Sequence, residues 1–130
     1  MAADTRPGNP VGYFEIPVTD LDRAIAFYEA VFGVKLERQT IDGYDMALFP
    51  AVEDGAGASG ALARGDVYIP GKAGPVLYFD TPAIEATLAR AVARGAAVLY
   101  PVKDIGAAGR VAEIEDSEGN RIALHERPRR

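Results

Sequence analysis

The stretch Tyr13-Phe-Glu-Ile-Pro-Val-Thr-Asp-Leu-Asp22 decides the fold, because a second stretch, Val76-Leu-Tyr-Phe-Asp-Thr-Pro-Ala-Ile-Glu85, repeats its plan. Both begin with alternating residues typical of a strand and continue into apolar residues at helical spacing. The first helical stretch ends at Gly33 and the second at Gly95, 62 positions later. Ala61 and Ala123, further along, keep the same offset of 62. An offset held across a strand, a helix and a later strand indicates an internal duplication.

Each repeat predicts a strand, a helix and then three more strands. We therefore expect a single α+β domain over residues 1–130, made of two βαβββ units at about 11–64 and 75–126. The sheet faces that no helix covers would curl together into a mixed eight-stranded trough, with the helices on the outside.

Capping residues mark the ends of both predicted helices. Thr19 and Thr81 are the predicted N-caps, and Pro82 is expected in the first helical position. Gly33 and Gly95 are placed to end the helices in the left-handed conformation that other side chains resist.

Alternation along the predicted strands divides their side chains between the two sheet faces. The core set expected beneath the helices is Phe14, Ile16, Leu77, Phe79, Ile122 and Leu124. The set expected in the trough is Tyr13, Glu15, Ala61, Ala63, Val76, Tyr78, Glu113, Ala123 and His125, with Phe49 as a further wall. A mostly apolar concave surface with a few polar groups is typical of a site for a small molecule.

Composition excludes several classes of function. The chain has no cysteine, so thiol catalysis, thiolate metal sites and disulfides are excluded. The net charge is -5, and the only basic cluster is the tail Arg127, Arg129 and Arg130, which argues against a nucleic-acid partner. No apolar run reaches the length of a membrane helix, and residues 1–10 do not resemble a signal peptide. We expect a cytoplasmic protein with no membrane partner.

Two motifs resemble the vicinal-oxygen-chelate superfamily, which includes glyoxalases, bleomycin-resistance proteins and dioxygenases. Residues 14–33, Phe-Glu-Ile-Pro-Val-Thr-Asp-Leu-Asp-Arg-Ala-Ile-Ala-Phe-Tyr-Glu-Ala-Val-Phe-Gly, resemble its opening βα motif. Residues 115–124, Glu-Asp-Ser-Glu-Gly-Asn-Arg-Ile-Ala-Leu, resemble its closing hairpin, so the resemblance covers about residues 11–126. The Phe-Glu-Ile-Pro opening and the Ala-Leu-His-Glu ending further resemble an uncharacterised branch related to lactoylglutathione lyase.

The resemblance also implies where metal ligands would lie. Metal-dependent members use four side chains, usually His or Glu, and these positions fall here at Tyr13, Ala61, Val76 and Ala123. Only Tyr13 offers a donor atom, so we expect a metal-independent member that lacks glyoxalase I activity and needs no cofactor. A relocated iron or zinc site formed by Glu15, Glu113 and His125 is the alternative.

Glu15 and His125 are the candidate catalytic residues. A carboxylate in an apolar strand requires a partner, for which Arg64, Arg110 and Arg121 are candidates, or it acts as a general base or ligand acceptor. His125 either bonds a backbone carbonyl or faces Glu15 or the ligand and moves a proton.

Two functions therefore stay open, with a purely structural or regulatory dimerisation module as a third. One is binding or sequestration of a small organic molecule such as an antibiotic or toxin, with Tyr13, Phe49, Val76, Tyr78, Glu113 and Ala123 around it. The other is an isomerase or lyase that uses Glu15 and His125. The resemblance also implies a homodimer, formed either side by side or by swapping units.

Overall fold

The computed structural model describes residues 8–128, which form eight strands, two α-helices and a short 3-10 helix at Gly106–Ala108. The order of the elements is that of the predicted repeat, a strand, a helix and three strands, twice over. The elements are β1 (Tyr13–Val18), α1 (Leu21–Phe32), β2 (Glu37–Ile41), β3 (Tyr44–Leu48), β4 (Ser59–Arg64), β5 (Tyr78–Asp80), α2 (Ile84–Ala93), β6 (Val98–Asp104), β7 (Arg110–Glu115) and β8 (Arg121–Glu126).

Each repeat builds its own four-stranded mixed sheet. The first sheet has the order β1-β4-β3-β2 and the second β5-β8-β7-β6, with the first strand of each repeat parallel to the last. The α+β class and the βαβββ units are thus confirmed. The predicted trough differs in one respect: the described strands form two separate four-stranded sheets, and no strand pairing joins them into one of eight.

The start of α1 is one residue later than predicted. Asp20, not Thr19, is the N-cap, and its side chain accepts a hydrogen bond from the backbone N–H of Arg23 at 3.0 Å. The end is confirmed, because Gly33 caps the helix with a φ of 66°.

Helix α2 also starts later than predicted. It begins at Ile84, so Pro82 is not in its first turn, and its N-cap Ala83 provides no side-chain bond. The backbone N–H of Ile84 instead donates to Glu126 Oε1 of β8 at 2.9 Å. Thr81 lies before the helix, and its hydroxyl forms a 2.6 Å hydrogen bond with the hydroxyl of Thr87. Gly95, with a φ of 89°, follows the helix as expected.

Aromatic side chains join the two repeats. The ring of Phe79 in β5 stacks on Phe32 of α1 at 4.6 Å and meets Phe14 of β1 edge-on at 6.1 Å. Phe49 belongs to the same cluster, 5.6 Å from Tyr28 and 5.8 Å from Phe79. These rings pack with the buried core between the sheets and helices. The predicted core set lies there or in the smaller cluster under α2: Phe14, Ile16, Leu77, Phe79, Ile122 and Leu124.

A carboxylate from the second repeat holds the first helix in place. Glu118, in the turn between β7 and β8, accepts hydrogen bonds from the backbone N–H groups of Thr19 and Asp20, both at 2.9 Å. Its other oxygen accepts from Arg23 Nε at 2.8 Å. Burial alone would raise the pKa of Glu118, but these charged and backbone donors lower it to about 2. The start of α1 therefore depends on residues almost 100 positions away.

Candidate functional site

The site begins with the face of the first sheet that turns away from α1, which we call the open face. Directly paired residues of neighbouring strands lie on the same side of a sheet. The register places Glu15 beside Ala61, Ala61 beside Leu48 and Leu48 beside Glu37, so these four side chains form one row across the open face. Buried Met46, Ala61 and Ala63 form its floor.

Glu15 is held by two tyrosines. Tyr68 Oη donates to Glu15 Oε1 at 2.7 Å, and Tyr13 Oη donates to Glu15 Oε2 at 3.0 Å. The expectation of an arginine partner was wrong. Arg64 donates instead to the carbonyl of Thr19, Arg110 to Glu85 and Glu126, and Arg121 to Glu113.

Tyr68 is a site residue that the sequence analysis missed. It lies in the connection between the repeats, residues 65–77, where no periodicity marks the position of a side chain. Its ring meets Tyr44 edge-on at 5.3 Å and packs against the floor of the open face. The hydrogen bond to Glu15 raises the pKa of Tyr68 to about 12, because the phenolate would lose that bond and lie beside a negative charge.

The second sheet presents a related row of side chains. Its register places Tyr78 beside Ala123, Ala123 beside Glu113 and Glu113 beside Tyr100. Glu113 accepts a hydrogen bond from Arg121 Nη1 at 2.7 Å, so this carboxylate is neutralised by its neighbour. Val76 lies two residues before β5 and is half-buried.

The three predicted aromatic walls lie in two different environments. Tyr13 and Tyr78 are 51% and 55% exposed, so both are open to a ligand. Phe49 is a correction, because it packs among the core aromatic rings on the helix side of its sheet and not on the open face. Leu48, the residue before Phe49, occupies the open-face position that was assigned to Phe49.

His125 lies on the second sheet in a hydrogen-bond set of its own. Its Nε2 is 2.6 Å from the carbonyl oxygen of Ala108, and its Nδ1 is 3.1 Å from Asp80 Oδ1. These two acceptors raise the pKa of His125 above its usual value of 6.5, with the carbonyl of Ala108 as the larger cause. No hydrogen bond joins His125 to Glu15, whose partners are both tyrosines.

The donor atoms do not fit a divalent metal at the positions that the resemblance implies. Ala61 and Ala123 are buried and have no ligating atom, and Val76 has none either. Within residues 8–128, no three His, Asp or Glu side chains are grouped so that they could hold a metal ion. The relocated set of Glu15, Glu113 and His125 is therefore not assembled.

A cleft of about 540 Å³ lies at the far end of the second sheet. Arg110 lines it and pairs with both Glu85 and Glu126. Its walls are mostly charged, and none of the predicted site residues is among them. The lining residues are Glu85, Asp104, Gly106, Gly109, Arg110, Glu126, Arg127 and Pro128.

A family model matches residues 11–124, and its description is the glyoxalase/bleomycin resistance protein/dioxygenase superfamily. The chain belongs to this superfamily. A comparison with curated protein sequences gives no match. Among the 121 described residues, neither helix is both long and apolar enough to cross a membrane.

Several solved structures resemble this superfamily member over most of its length. TnmS3, an antibiotic binding protein from Streptomyces sp. CB03234, is 25% identical, with a TM-score of 0.66 over 95% of this chain and 99% of that one. A glyoxylase/bleomycin resistance protein/dioxygenase domain from Frankia sp. EAN1pec is 18% identical, with a TM-score of 0.71 over 92% and 98%. A V278E mutant of glyoxalase I from Zea mays is 18% identical, with a TM-score of 0.67 over 90% of this chain and 46% of that one. The last two likenesses concern the fold alone.

Proposed function

We propose that this protein binds a small organic molecule on the open face of its first sheet without a metal ion. The observation that carries the proposal is the row Glu15, Ala61, Leu48 and Glu37, in which a carboxylate held by two tyrosines stands beside a buried apolar floor. Binding sites for small organic molecules are typically apolar surfaces with a few oriented polar groups. The likeness to an antibiotic binding protein at 25% identity supports sequestration of such a molecule.

Joint acid–base catalysis by Glu15 and His125 has less support. Each residue is engaged on a different sheet, Glu15 with Tyr13 and Tyr68 and His125 with Asp80 and Ala108. A base must lie within hydrogen-bond reach of the proton that it removes, and a shared substrate would have to reach both sets.

A two-dimensional ¹H–¹⁵N NMR screen of a small-molecule library tests the binding function. We expect a bound compound to shift amides of β1, β3 and β4 in a saturable way. Tyr13→Ala should weaken binding, whereas Tyr100→Ala, on the outer end of the second row, serves as the matched control. Shifts confined to the 540 Å³ cleft around Arg110, or none on the open face, would contradict the proposal.

Metal independence has its own test, thermal unfolding of the metal-stripped protein with Ni²⁺, Co²⁺, Zn²⁺, Fe²⁺ and Mn²⁺. A specific ion at 100 times its dissociation constant stabilises a protein by about 2.7 kcal/mol. We expect no shift of the melting temperature with any of the five ions. A saturable shift that Glu15→Gln abolishes would make this a metalloprotein.

The homodimer implied by the resemblance remains a prediction. Strands β1 and β5 each have one hydrogen-bonded neighbour and are edge strands of their sheets. A second copy of the chain would pair with the outer backbone edges of these strands. Light scattering coupled to size-exclusion chromatography should give twice the mass of the 130-residue chain.

A further inference from the structure

The open face of the first sheet carries negative charge with no basic side chain beside it. Its strands contain two basic residues, and both turn to the other face. Arg38 is paired in register with Ala47 and bonds Asp22 of α1, while Arg64 Nε donates to the carbonyl of Thr19. Glu15 and Glu37, the carboxylates at the two ends of the row, have no Lys, Arg or His within salt-bridge distance in the described part of the chain.

The second sheet provides an internal comparison. Glu113 occupies the same kind of position, beside a buried alanine on the open side of its sheet, but Arg121 neutralises it at 2.7 Å. The carboxylate of the second sheet is thus paired within the protein, whereas Glu15 has neutral partners only.

Tyrosine rings surround the unpaired carboxylate. Tyr13 and Tyr68 bond its two oxygens, and Tyr44 stands edge-on to Tyr68 at 5.3 Å. Aromatic rings attract cations through their electron-rich faces, and a carboxylate adds a charged acceptor. The charge of the Glu15 carboxylate, still bonded to both tyrosines, attracts an organic cation that lies against these rings.

We propose that the molecule bound on this open face is an organic cation with an apolar body. Its cationic group is held by Glu15 among the tyrosines, and its apolar body lies over the half-buried Leu48. Three strand spacings separate Glu15 from Glu37, a distance of about 14 Å between backbones, so a second cationic group on a longer ligand reaches Glu37. The inference rests on the proposed function and adds the charge class of the ligand to it.

The test uses three probes of similar shape: phenyltrimethylammonium, its neutral isostere tert-butylbenzene, and the anion benzenesulfonate. Binding is followed by the amide shifts of residues 13–15, 61 and 68. We expect phenyltrimethylammonium to bind at least ten times more tightly than the other two. Glu15→Gln should remove that preference, and Glu113→Gln, the matched control on the second sheet, should leave it unchanged.

Ionic strength gives a second measurement that needs no variant. Salt screens exposed charges, so the affinity for phenyltrimethylammonium should fall between 0.05 and 0.5 M NaCl in the unmodified protein, and that for tert-butylbenzene should not. Equal affinity for cation and neutral isostere, unaffected by Glu15→Gln, overturns the cation proposal alone. It is also overturned alone if other library compounds bind this face and phenyltrimethylammonium does not. If no compound of the library shifts the amides of this open face, the proposed function fails with it.

Discussion

Tyr28 and Asp116 are 88 residues apart and share a 2.6 Å hydrogen bond in the buried interior. Tyr28 belongs to α1 of the first repeat, and Asp116 starts the turn between β7 and β8 of the second. Asp116 also accepts from the backbone N–H groups of Glu118 and Asn120, both at 2.8 Å. The bond therefore ties the first helix to the same turn that provides Glu118.

Replacing Tyr28 with phenylalanine removes the hydroxyl and keeps the ring. Hydrogen bonds to charged groups contribute about 1.5–3 kcal/mol, so we expect Tyr28→Phe to lower the free energy of unfolding by that amount in urea. Tyr44→Phe is the control, because the Tyr44 hydroxyl bonds Asp66 at the surface, where changes stay within about 0.5 kcal/mol. Equal effects of the two variants would contradict the structural role of the buried bond.

The free energy of unfolding should depend on pH through the ionisation of Glu118. Its pKa is about 2 in the folded protein, whereas the ordinary value of a free glutamate side chain is 4.5. A carboxyl group with a lowered pKa stabilises the fold above pH 4.5, and this stabilisation is lost as the pH falls from 4.5 to 2. Solvent screening keeps the contribution below the roughly 3 kcal/mol that the full shift would give. Glu118→Gln should be less stable at pH 7 and should show a flatter decline, measured by urea unfolding at pH 7, 4 and 3.

The titration of His125 should report its two acceptors. Its pKa lies above 6.5, so any stability that it contributes is complete below pH 6.5 and is lost as the pH rises through the folded pKa. The sequence has one histidine, so a single set of imidazole signals appears in the NMR spectrum. We expect their midpoint above 6.5 and expect Asp80→Asn to lower it. A midpoint at or below 6.5 would show that the contacts with Ala108 and Asp80 do not persist in solution.

The bond between Tyr68 and Glu15 can be measured on the tyrosine itself. The pKa of Tyr68 is raised to about 12 mainly because its hydroxyl donates to Glu15. Glu15→Gln removes the negative charge, so the pKa of Tyr68 should move back toward 10. The ¹³Cζ signals of labelled tyrosine follow the change, and Tyr44, whose hydroxyl bonds Asp66, provides the comparison within the same spectrum.

Local pattern predicted the elements of this fold and failed where distant residues decide. The repeat and the alternation placed the strands and the helix ends at Gly33 and Gly95. The N-caps were wrong because carboxylates from other elements, Glu118 and Glu126, bind near the two helix starts. Phe49 was placed on the wrong face because a shift of one position along a strand moves a side chain to the other side of the sheet.

Prediction of the site had a similar limit. Alternation identified Glu15 and Tyr13 as neighbours on one face, because both lie in a regular strand. It could not identify Tyr68, because a connection rich in glycine and proline has no period from which to read the direction of a side chain. The arginine partner, one of the two alternatives for Glu15, was wrong, since only folding shows which face each arginine takes.

The carboxylates that bind the starts of both helices, Glu118 and Glu126, belong to the second repeat. The matching positions of the first repeat, 62 residues earlier, are Ala56 and Arg64, and neither can accept a hydrogen bond with its side chain. The two halves are therefore no longer interchangeable, and a gene that doubled the first half would encode two helices without these acceptors. During synthesis on the ribosome, the first helix leaves the exit tunnel well before its acceptor does. The hydrogen bonds between this helix and the second repeat can form only after the turn at residues 116–120 has left the tunnel.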